Sequence, residues 1–373
     1  MVPFFNYRYL FESDESELSR VILNVVRRGA FILQQEVDEF EAALAKFLGV
    51  KHAIALADGT NAMLLGYRAM GLKPGEEIVI CSHTYVATAN AVHYAGGVPV
   101  CADMGPDWMM DAGALDRAIT PRTRAICPTQ VNGRVCDMDA IGTVARKHNL
   151  EIVEDAAQGL GAKFKGRSAG TFGLWGTFSF YPAKVLGSFG DGGALVTNDD
   201  TIAEQVRLQR DHGRNAEGKF VGWGTNCRLD NIQAAILLHK MRDYDAVMRR
   251  RREIAALYHS LLKDVAGLDL PPAPDSDPRH FDVYQNYELA ADRRDELRDV
   301  LKARGIGTLV QWSGQPVHQI EALGVHGECP RVSKFFERCL MLPMNMSLSD
   351  EDVRYVASVV REFYGFTAKV AAE

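Results

Sequence analysis

The sequence of 373 residues lacks the features that mark several large protein classes. Its seven cysteines are scattered, odd in number and free of any C-x-x-C pair, which argues against a disulfide framework and a structural zinc site. Its ten histidines show no metal-ligand spacing such as H-E-x-x-H, so we expect no metal. No apolar run approaches the length of a membrane span, and the first residues lack the pattern of a secretory leader. We therefore expect a cytoplasmic protein without a membrane anchor.

The charge pattern argues against nucleic acid as a partner. The chain has 42 basic and 48 acidic residues, a net charge of -6, and no long basic run interleaved with aromatic residues. The basic cluster Arg249–Arg252 lies in a helical pattern, and we expect it to mark a solvated or subunit-facing helix surface. With 47% hydrophobic residues, the composition is that of a globular protein with one large core and a smaller second domain.

Short apolar runs alternate with helical patterns between about residue 50 and residue 200. The runs are His52–Leu56, Glu77–Cys81, Ala125–Pro128, Leu150–Val153 and Ala194–Thr197. This alternation predicts an α/β fold, in which helices cover both faces of a mainly parallel sheet. Ligands of such sheets bind at the carboxyl ends of the strands, where several candidate residues lie.

The second half of the chain has a different pattern. Apolar residues at helical spacing from Asp230 to about Asp264 predict a long helix that leaves the first domain. Later, a strand from Asp282 to Leu289 and a helix from Arg293 to Arg304 predict a smaller α+β unit. The predicted organisation is an N-terminal arm with a large domain over residues 1–240, and a small C-terminal domain over residues 241–373.

Two residues carry the chemical argument. Asp155 ends the apolar run that begins at Leu150, and Lys184 ends the stretch Phe-Ser-Phe-Tyr-Pro-Ala-Lys. A lysine can form a Schiff base with pyridoxal phosphate, and an acidic residue can keep the pyridine nitrogen protonated so that the ring accepts an electron pair. Taken singly, a lysine is usually a solvated surface charge and such an aspartate a cap or turn former. The interpretation therefore depends on the surrounding motifs.

Further motifs supply groups that such a cofactor needs. The stretch 58–61, Asp-Gly-Thr-Asn, opens a helix and offers free N–H groups and a hydroxyl to a phosphate, although a cap without a ligand is the alternative. Ser179 can add a second hydroxyl, or it is a satisfied strand serine. Tyr85 follows another strand and can stack on the pyridine ring, or it simply packs. Gln158 can donate to the ring hydroxyl, or its spacing from Asp155 is only that of one helical turn.

At these motifs the chain resembles the DegT/StrS sugar aminotransferases, which are pyridoxal-phosphate enzymes of the aspartate-aminotransferase fold, fold type I. The resemblance extends from Gly29 to Thr308. The matching motifs are Gly59-Thr60, Thr84–Asn90, Glu154–Gln158, Ser179–Lys184, Gly190–Gly193 and Asn226–Ala235.

The resemblance implies roles for the residues around the cofactor ring. Lys184 carries the cofactor as a Schiff base and, once displaced, acts as a base. Asp155 pairs with the ring nitrogen, Gln158 contacts the ring hydroxyl and Tyr85 lies over the ring. Lys184 and Asp155 are thus the expected catalytic residues.

The resemblance also implies a phosphate site and an oligomer. Gly59, Thr60 and Ser179 are expected to hold the phosphate. In similar enzymes the asparagine that matches Asn226 reaches the phosphate of the neighbouring subunit. The chain is therefore expected to form an obligate homodimer with two shared active sites.

The implied reaction is a ping-pong transamination. L-Glutamate would convert pyridoxal phosphate to pyridoxamine phosphate, which would aminate a nucleotide-linked 3- or 4-keto-6-deoxyhexose for amino-sugar and polysaccharide biosynthesis. Alternatives are an aminotransferase for an inositol ketone and a non-catalytic regulatory protein that binds pyridoxal phosphate. A sugar 3-dehydratase is disfavoured, because family members of that kind carry histidine at the position of Lys184.

The chain departs from the family pattern at three places. Asp58 brings a carboxylate close to the phosphate site, which requires that it point away or find a cation. Residues 131–134 and 309–314 differ from the usual segments, and we expect both to line the sugar pocket. Trp312 and His318 are candidate sugar contacts, with a packed aromatic residue and a surface histidine as the alternatives.

Overall fold

A seven-stranded sheet forms the centre of the protein in a computed structural model that describes residues 1–366. The strands are β1 (His52–Leu56), β2 (Glu77–Cys81), β3 (Val98–Ala102), β4 (Thr123–Cys127), β5 (Glu151–Asp155), β6 (Lys163–Phe164), β7 (Arg167–Ser168), β8 (Trp175–Ser179), β9 (Gly193–Thr197), β10 (Leu268–Asp269), β11 (His280–Phe281), β12 (Tyr287–Ala291) and β13 (Cys339–Leu342).

Helices account for most of the remaining structure. They are α1 (Tyr9–Glu12), α2 (Glu15–Arg28), α3 (Gln35–Leu48), α4 (Gly59–Ala69), α5 (Val86–Tyr94), α6 (Ala112–Ala118), α7 (Met138–His148), α8 (Asp200–Arg210), α9 (Asn231–Lys240), α10 (Tyr244–Leu262), α11 (Arg294–Ala303), α12 (Pro330–Arg338) and α13 (Asp350–Phe363). Short 3-10 helices lie at Val131–Gly133, Met241–Asp243, Gln311–Gly314, Val317–Gln319 and Glu321–Leu323. Among residues 1–366, no helix combines the length and the hydropathy that crossing a membrane requires.

The strand order of the main sheet is β1-β9-β8-β5-β4-β2-β3. All neighbouring pairs are parallel except those of β9, which runs antiparallel to both β1 and β8. Strands β2 and β9 are buried along their whole length, because helices cover both faces of the sheet. The predicted fold class, α/β with a mainly parallel sheet, is confirmed.

The carboxyl ends of six strands lie at one edge of this sheet. Strands β1, β2, β3, β4, β5 and β8 all run in the same direction. Strand β9 begins there, because its first residue, Gly193, pairs with both Leu56 and Ser179. The ends of these strands and the loops that follow them contain seven of the predicted site residues, Gly59, Thr60, Tyr85, Asp155, Gln158, Ser179 and Lys184.

A second hydrophobic core surrounds the three-stranded sheet β10-β12-β13 and helices α10, α11 and α13. Val2 belongs to this core, since its N–H donates to the Gly305 carbonyl at 2.9 Å and its carbonyl accepts from Gly307 N–H at 2.8 Å. The division of the chain between residues 240 and 241 stays a prediction.

The predicted long helix from residue 230 to residue 264 is interrupted. It consists of α9 and α10, which are separated by the 3-10 turn Met241–Asp243. The prediction of a solvated surface for the arginine cluster is wrong for Arg251. Its guanidinium group is buried and donates to the carbonyls of Tyr284, Gln285 and Met344 at 2.7 to 3.0 Å, and burial lowers its pKa to about 10.

Candidate active site

The start of α4 forms a corner with free backbone donors. Asp58 is the N-cap: its Oδ1 accepts from Asn61 N–H at 2.8 Å and its Oδ2 from Asn61 Nδ2 at 2.6 Å. Within residues 1–366, the N–H groups of Gly59 and Thr60 donate to no protein acceptor. Both oxygens of Asp58 are thus occupied within the first helical turn, and two amide donors remain for an anion.

Ser179 and Gly193 lie at the same corner because strands β8 and β9 meet there. A Cβ atom on Gly59 would lie 3.1 Å from the Ser179 Cβ. A Cβ atom on Gly193 would lie 2.3 Å from the carbonyl carbon of Asp58, closer than any ordinary contact. Glycine at position 193 therefore lets the β9 backbone pass directly beneath the start of α4.

Asp155 is the last residue of β5, and its carboxylate is buried. Its Oδ1 accepts from Ala157 N–H at 3.1 Å, and its Oδ2 accepts from the Thr88 hydroxyl at 2.6 Å. The Thr88 hydroxyl also forms a 2.7 Å hydrogen bond with the Thr84 hydroxyl. Because Thr88 donates its only hydroxyl proton to Asp155, Thr84 is the donor in that bond. Thr129 in turn donates to Thr84 at 2.8 Å. Three hydroxyls thus form one row of hydrogen bonds that ends at the carboxylate and fixes its orientation.

Lys184 lies in the turn that follows β8, where its N–H donates to the Tyr181 carbonyl at 2.8 Å. Burial lowers the pKa of its amino group to about 8, and the nearby charge of Asp155 acts in the opposite direction. The predicted catalytic pair is therefore close enough to interact electrostatically, and the amine is partly neutral near pH 7.

Tyr85 and Trp312 lie near each other. Tyr85 precedes α5 and leaves 54% of its surface exposed, so one face of its ring is free to contact a planar group. The Trp312 ring centre is 6.3 Å from that of Tyr85. Trp312 itself has φ of 45°, an uncommon conformation for a residue other than glycine.

Gln158 has a fixed orientation. Its Oε1 accepts from Asn132 N–H at 2.6 Å, so its Nε2 presents only donors to the remaining space. Asn132 lies in the 3-10 turn after β4, with φ of 56°. This arrangement suits the predicted donation from Gln158 to a ring hydroxyl.

The two segments that depart from the family pattern contact each other. Gln311 Nε2 donates to Asn132 Oδ1 at 3.3 Å and to Glu288 Oε2 at 3.2 Å, and Asn132 Nδ2 donates to the same carboxylate at 2.5 Å. His83 Nε2 lies 3.2 Å from Glu288 Oε2, while its Nδ1 donates to the Trp108 carbonyl at 2.9 Å. A hydrogen bond between His83 and Glu288 therefore needs an additional proton on one of the two side chains.

The other two predicted residues lie in different surroundings. His318 is hydrogen-bonded on both ring nitrogens, to Ser82 Oγ at 2.6 Å and to Ser333 Oγ at 3.0 Å, and burial lowers its pKa. Asn226 is exposed and lies at the end of the loop that follows α8, where it pairs with Asp211 at the start of that loop. Among the described residues, its side chain bonds to none of the other predicted site residues. Both roles stay predictions.

Sequence reasoning missed two groups of residues that support the site. Thr84 and Thr88 are four residues apart around the start of α5, a spacing that places them on one helix face, and this signal was available. The contacts of Asn132 with Glu288 and Gln311 join residues that are more than 150 positions apart. No local pattern predicts them.

These groups fit pyridoxal phosphate. Free amide donors and a serine hydroxyl suit its phosphate, the buried Asp155 suits a ring nitrogen, and the partly neutral amine of Lys184 suits its aldehyde. In the part of the chain that the structure describes, no three His, Cys, Asp or Glu side chains form a group able to hold a metal ion.

Comparison with known proteins decides the family. The profile of the DegT/DnrJ/EryC1/StrS aminotransferase family matches residues 12–361. The chain belongs to this family. It is 39% identical to the dTDP-3-amino-3,4,6-trideoxy-alpha-D-glucose transaminase of Streptomyces venezuelae, over 97% of this chain and 96% of that protein. It is also 37% identical to a pleiotropic regulatory protein of Geobacillus stearothermophilus, over 97% of this chain and 98% of that protein.

Solved structures of the DegT/DnrJ/EryC1/StrS aminotransferases agree. The crystal structure of Streptomyces venezuelae DesV in complex with a ketimine intermediate superposes with a TM-score of 0.93 at 38% identity, over 97% of this chain and 98% of that chain. The predictions of the family, of fold type I, of pyridoxal phosphate as cofactor and of an aminotransferase are confirmed. The roles of individual site residues stay predictions.

Proposed function

We propose that this protein transfers the amino group of L-glutamate to a nucleotide-linked 3- or 4-keto-6-deoxyhexose. The observation that carries the proposal is that Lys184, in the turn after β8, lies near enough to the buried carboxylate of Asp155, at the carboxyl edge of the sheet, for the charge of Asp155 to act on its amine. The overall reaction converts glutamate and a keto sugar into 2-oxoglutarate and an amino sugar.

Lys184 is the group that moves the proton in this proposal. When bound, pyridoxal phosphate supplies a carbonyl that condenses with amines and a ring that accepts an electron pair. With a pKa of about 8, Lys184 Nζ can take a proton from the donor Cα and return it nearby. An ordinary lysine would be almost fully protonated near neutral pH and would serve poorly as a base.

Asp155 holds negative charge at a fixed position. The hydroxyl of Thr88 and the N–H of Ala157 keep the carboxylate oriented, and its burial lets it act through a low dielectric. Gln158 presents donors from a second direction, because Asn132 occupies its oxygen. Tyr85 offers an exposed ring face against which a planar cofactor can pack.

Two observations support a keto sugar as the acceptor. The Streptomyces venezuelae relative is named as a transaminase of a dTDP-linked amino sugar and matches nearly the whole chain. In addition, Asn132 and Gln311, from the two segments that depart from the family pattern, bond to each other, and Trp312, which follows Gln311 in the chain, lies near Tyr85; amides and aromatic faces are groups that bind sugar hydroxyls and rings. Trp312 and His318 remain our candidate contacts for the sugar.

We also propose a homodimer with shared sites. The loop between α8 and Asn226 exposes Phe220, Val221 and Trp223, the last of them almost completely at 98%. Exposed apolar side chains that lie together indicate a contact surface. In the proposed dimer they pack against the partner subunit, and Asn226 reaches the phosphate of the partner's site.

The proposed compartment is the cytoplasm. All seven cysteines are free and buried, as expected for a protein of a reducing compartment.

A panel of dTDP-, UDP- and GDP-linked keto sugars tests the acceptor. We expect release of 2-oxoglutarate from L-glutamate with at least one of them. Amination of an inositol ketone alone would favour the alternative acceptor class.

The regulatory alternative takes support from the name of the Geobacillus relative. It predicts that the visible band of bound pyridoxal phosphate persists when L-glutamate is added. We expect the band to bleach, and to be absent in Lys184→Ala. Persistence of the band with every amino donor would favour the regulatory role.

Mixing two inactive variants tests the shared sites. Heterodimers of Lys184→Ala and Asn226→Ala subunits contain one site with both defects and one intact site, so activity should return when the two homodimers are dissociated and reassociated together. Trp223→Ser should weaken the dimer in sedimentation experiments. Failure of the mixed subunits to regain activity, with heterodimers demonstrated by mass spectrometry, would contradict the shared site.

A further inference from the structure

A glutamine from the C-terminal half of the chain, Gln285, forms hydrogen bonds to the backbone on both sides of Lys184. Gln285 Nε2 donates to the Ala183 carbonyl at 2.8 Å, and its Oε1 accepts from Val185 N–H at 2.9 Å. One planar amide thus contacts the residue before and the residue after the lysine. We propose that Gln285 is a positioning residue that fixes the peptide groups flanking Lys184 and thereby the location of its amine. This inference rests on the proposed function, in which Lys184 is the reacting amine.

The geometry of the two bonds determines how Gln285 acts. A carbonyl can only accept and an N–H can only donate, so the amide of Gln285 satisfies both in one orientation. Ala183 and Val185 are separated by a single residue, so two bonds from one rigid amide restrict rotation of the backbone around Lys184. Asparagine is one methylene shorter, and leucine offers no hydrogen bonds at all.

The backbone of Gln285 is itself held firmly. Its N–H donates to the Asn132 carbonyl and Val283 N–H donates to the Gly133 carbonyl, each at 2.9 Å. The buried Arg251 donates to the Gln285 carbonyl at 2.7 Å and to the Tyr284 carbonyl at 2.9 Å. The side chain of Gln285 therefore projects from a support that is fixed on two sides.

Two local features show how closely the segment 283–285 is packed. Tyr284 has φ of 51°, a backbone conformation that is uncommon for residues other than glycine. A Cβ atom on Gly133 would lie 2.8 Å from the Gln285 nitrogen. Such conformations persist where the surrounding contacts determine them, as they do here.

The consequence for Lys184 concerns solvation. Burial is the main cause that lowers the pKa of its amine to about 8. If the backbone around position 184 is released, the amine can reach water more often, and its pKa should rise toward the ordinary value near 10.4. Fewer molecules would then carry a neutral amine near neutral pH, and the amine would be placed less accurately for proton transfer.

The test compares Gln285→Leu with Tyr284→Phe. The control removes one side-chain bond to a carbonyl, from the Tyr284 hydroxyl to Pro272 at 2.8 Å, on the neighbouring residue and away from Lys184. In the holoenzyme of Gln285→Leu, we expect kcat to fall about tenfold or more with the KM for glutamate within about threefold of wild type. The acid limb of the kcat profile, in which Lys184 acts as a free base, should move up by about one pH unit. The pH midpoint of the visible cofactor band, which reports the nitrogen of Lys184 joined to the cofactor, should move up as well, because water that reaches this nitrogen stabilises its protonated form. Tyr284→Phe should leave all four quantities unchanged.

A second variant covers the case in which Gln285→Leu does not fold. Gln285→Met keeps the length and the unbranched shape of the side chain but offers neither hydrogen bond, and it should shift the band midpoint and kcat in the same directions by similar factors. A merely structural role predicts a lower melting temperature with an unchanged midpoint and unchanged kcat, which would overturn the inference.

Borohydride reduction of the wild-type holoenzyme, followed by peptide mapping, separates this inference from the proposed function. A label on a residue other than Lys184 overturns both. A label on Lys184 together with wild-type behaviour of the Gln285 variants overturns only the positioning role.

Discussion

Replacing Thr88 with valine removes one hydroxyl and almost no volume at the buried carboxylate. Thr88 is fully buried and donates to Asp155 Oδ2 at 2.6 Å, a short bond to a charged acceptor. Hydrogen bonds to charged groups contribute about 1.5–3 kcal/mol, and valine leaves one carboxylate oxygen without this donor. If that loss appears fully in the transition state, kcat falls by about 10- to 100-fold.

The row of threonines provides a graded control. Thr129→Val removes the hydroxyl at the far end of the row, three hydrogen bonds away from Asp155, and leaves the direct bond from Thr88 intact. Polarisation along such a row strengthens each bond by only about 10–30%, so we expect a loss of kcat of about threefold or less.

The measurement is kcat for the half-reaction with L-glutamate, followed by the loss of the visible cofactor band, together with the melting temperature of each variant. We expect the order wild type, Thr129→Val, Thr88→Val. A Thr88→Val enzyme that keeps kcat within about twofold of wild type while retaining its cofactor would refute the assignment of Asp155 as the charge that supports the reaction.

Three further predictions concern the amine and the phosphate corner. Only the neutral amine of Lys184 attacks an aldehyde, so the rate at which pyridoxal phosphate attaches to the cofactor-free protein should rise about tenfold per pH unit up to a pH of about 8 and stay constant above it. A stopped-flow rate that does not change with pH would contradict the lowered pKa of Lys184. Asp58→Ser keeps a helix cap but removes a negative charge near the phosphate site. The Kd for the cofactor, measured by equilibrium dialysis, should therefore fall about fivefold, which corresponds to on the order of 1 kcal/mol of binding free energy. An unchanged Kd would mean that the bonds from Asn61 fully shield the carboxylate. Gly193→Ala places a methyl group 2.3 Å from the Asp58 carbonyl carbon. This close contact should lower the free energy of unfolding by about 1–3 kcal/mol and raise the Kd for the cofactor. A variant with wild-type stability and affinity would show that the backbone at the start of α4 shifts to make room for the methyl group.

The fold was predictable where the apolar pattern is local. The runs at His52–Leu56 and Glu77–Cys81 coincide with strands β1 and β2 to the residue, because all or nearly all of their side chains are buried. Strand β3 was missed because it carries a proline and is partly exposed. The break between α9 and α10 was also missed, since the apolar spacing continues through the 3-10 turn.

The candidate site was predictable in its parts and less so in its supports. Asp155 and Ser179 end strands, Gly59 and Lys184 lie shortly after strands, and the carboxyl ends of strands converge in a parallel sheet. The hydrogen bonds from Gln285 to Ala183 and Val185 join residues that are about 100 positions apart, and no sequence spacing rule predicts contacts over that distance. The prediction for Arg251 was wrong for a related reason. Four consecutive arginines predict a solvent-exposed helix surface, and only the tertiary structure shows that one of them is buried.

The pairing of Val2 with residues 305–307 constrains the order in which the newly made chain can assemble. The main sheet, whose strands end at Thr197, has all of its strands available early in synthesis. The second core has to wait until the ribosome has added more than a hundred further residues, and only then can the beginning of the chain settle into place. Contacts so distant along the chain form late and slowly, so we expect that the last structural step of biogenesis is the capture of the first few residues.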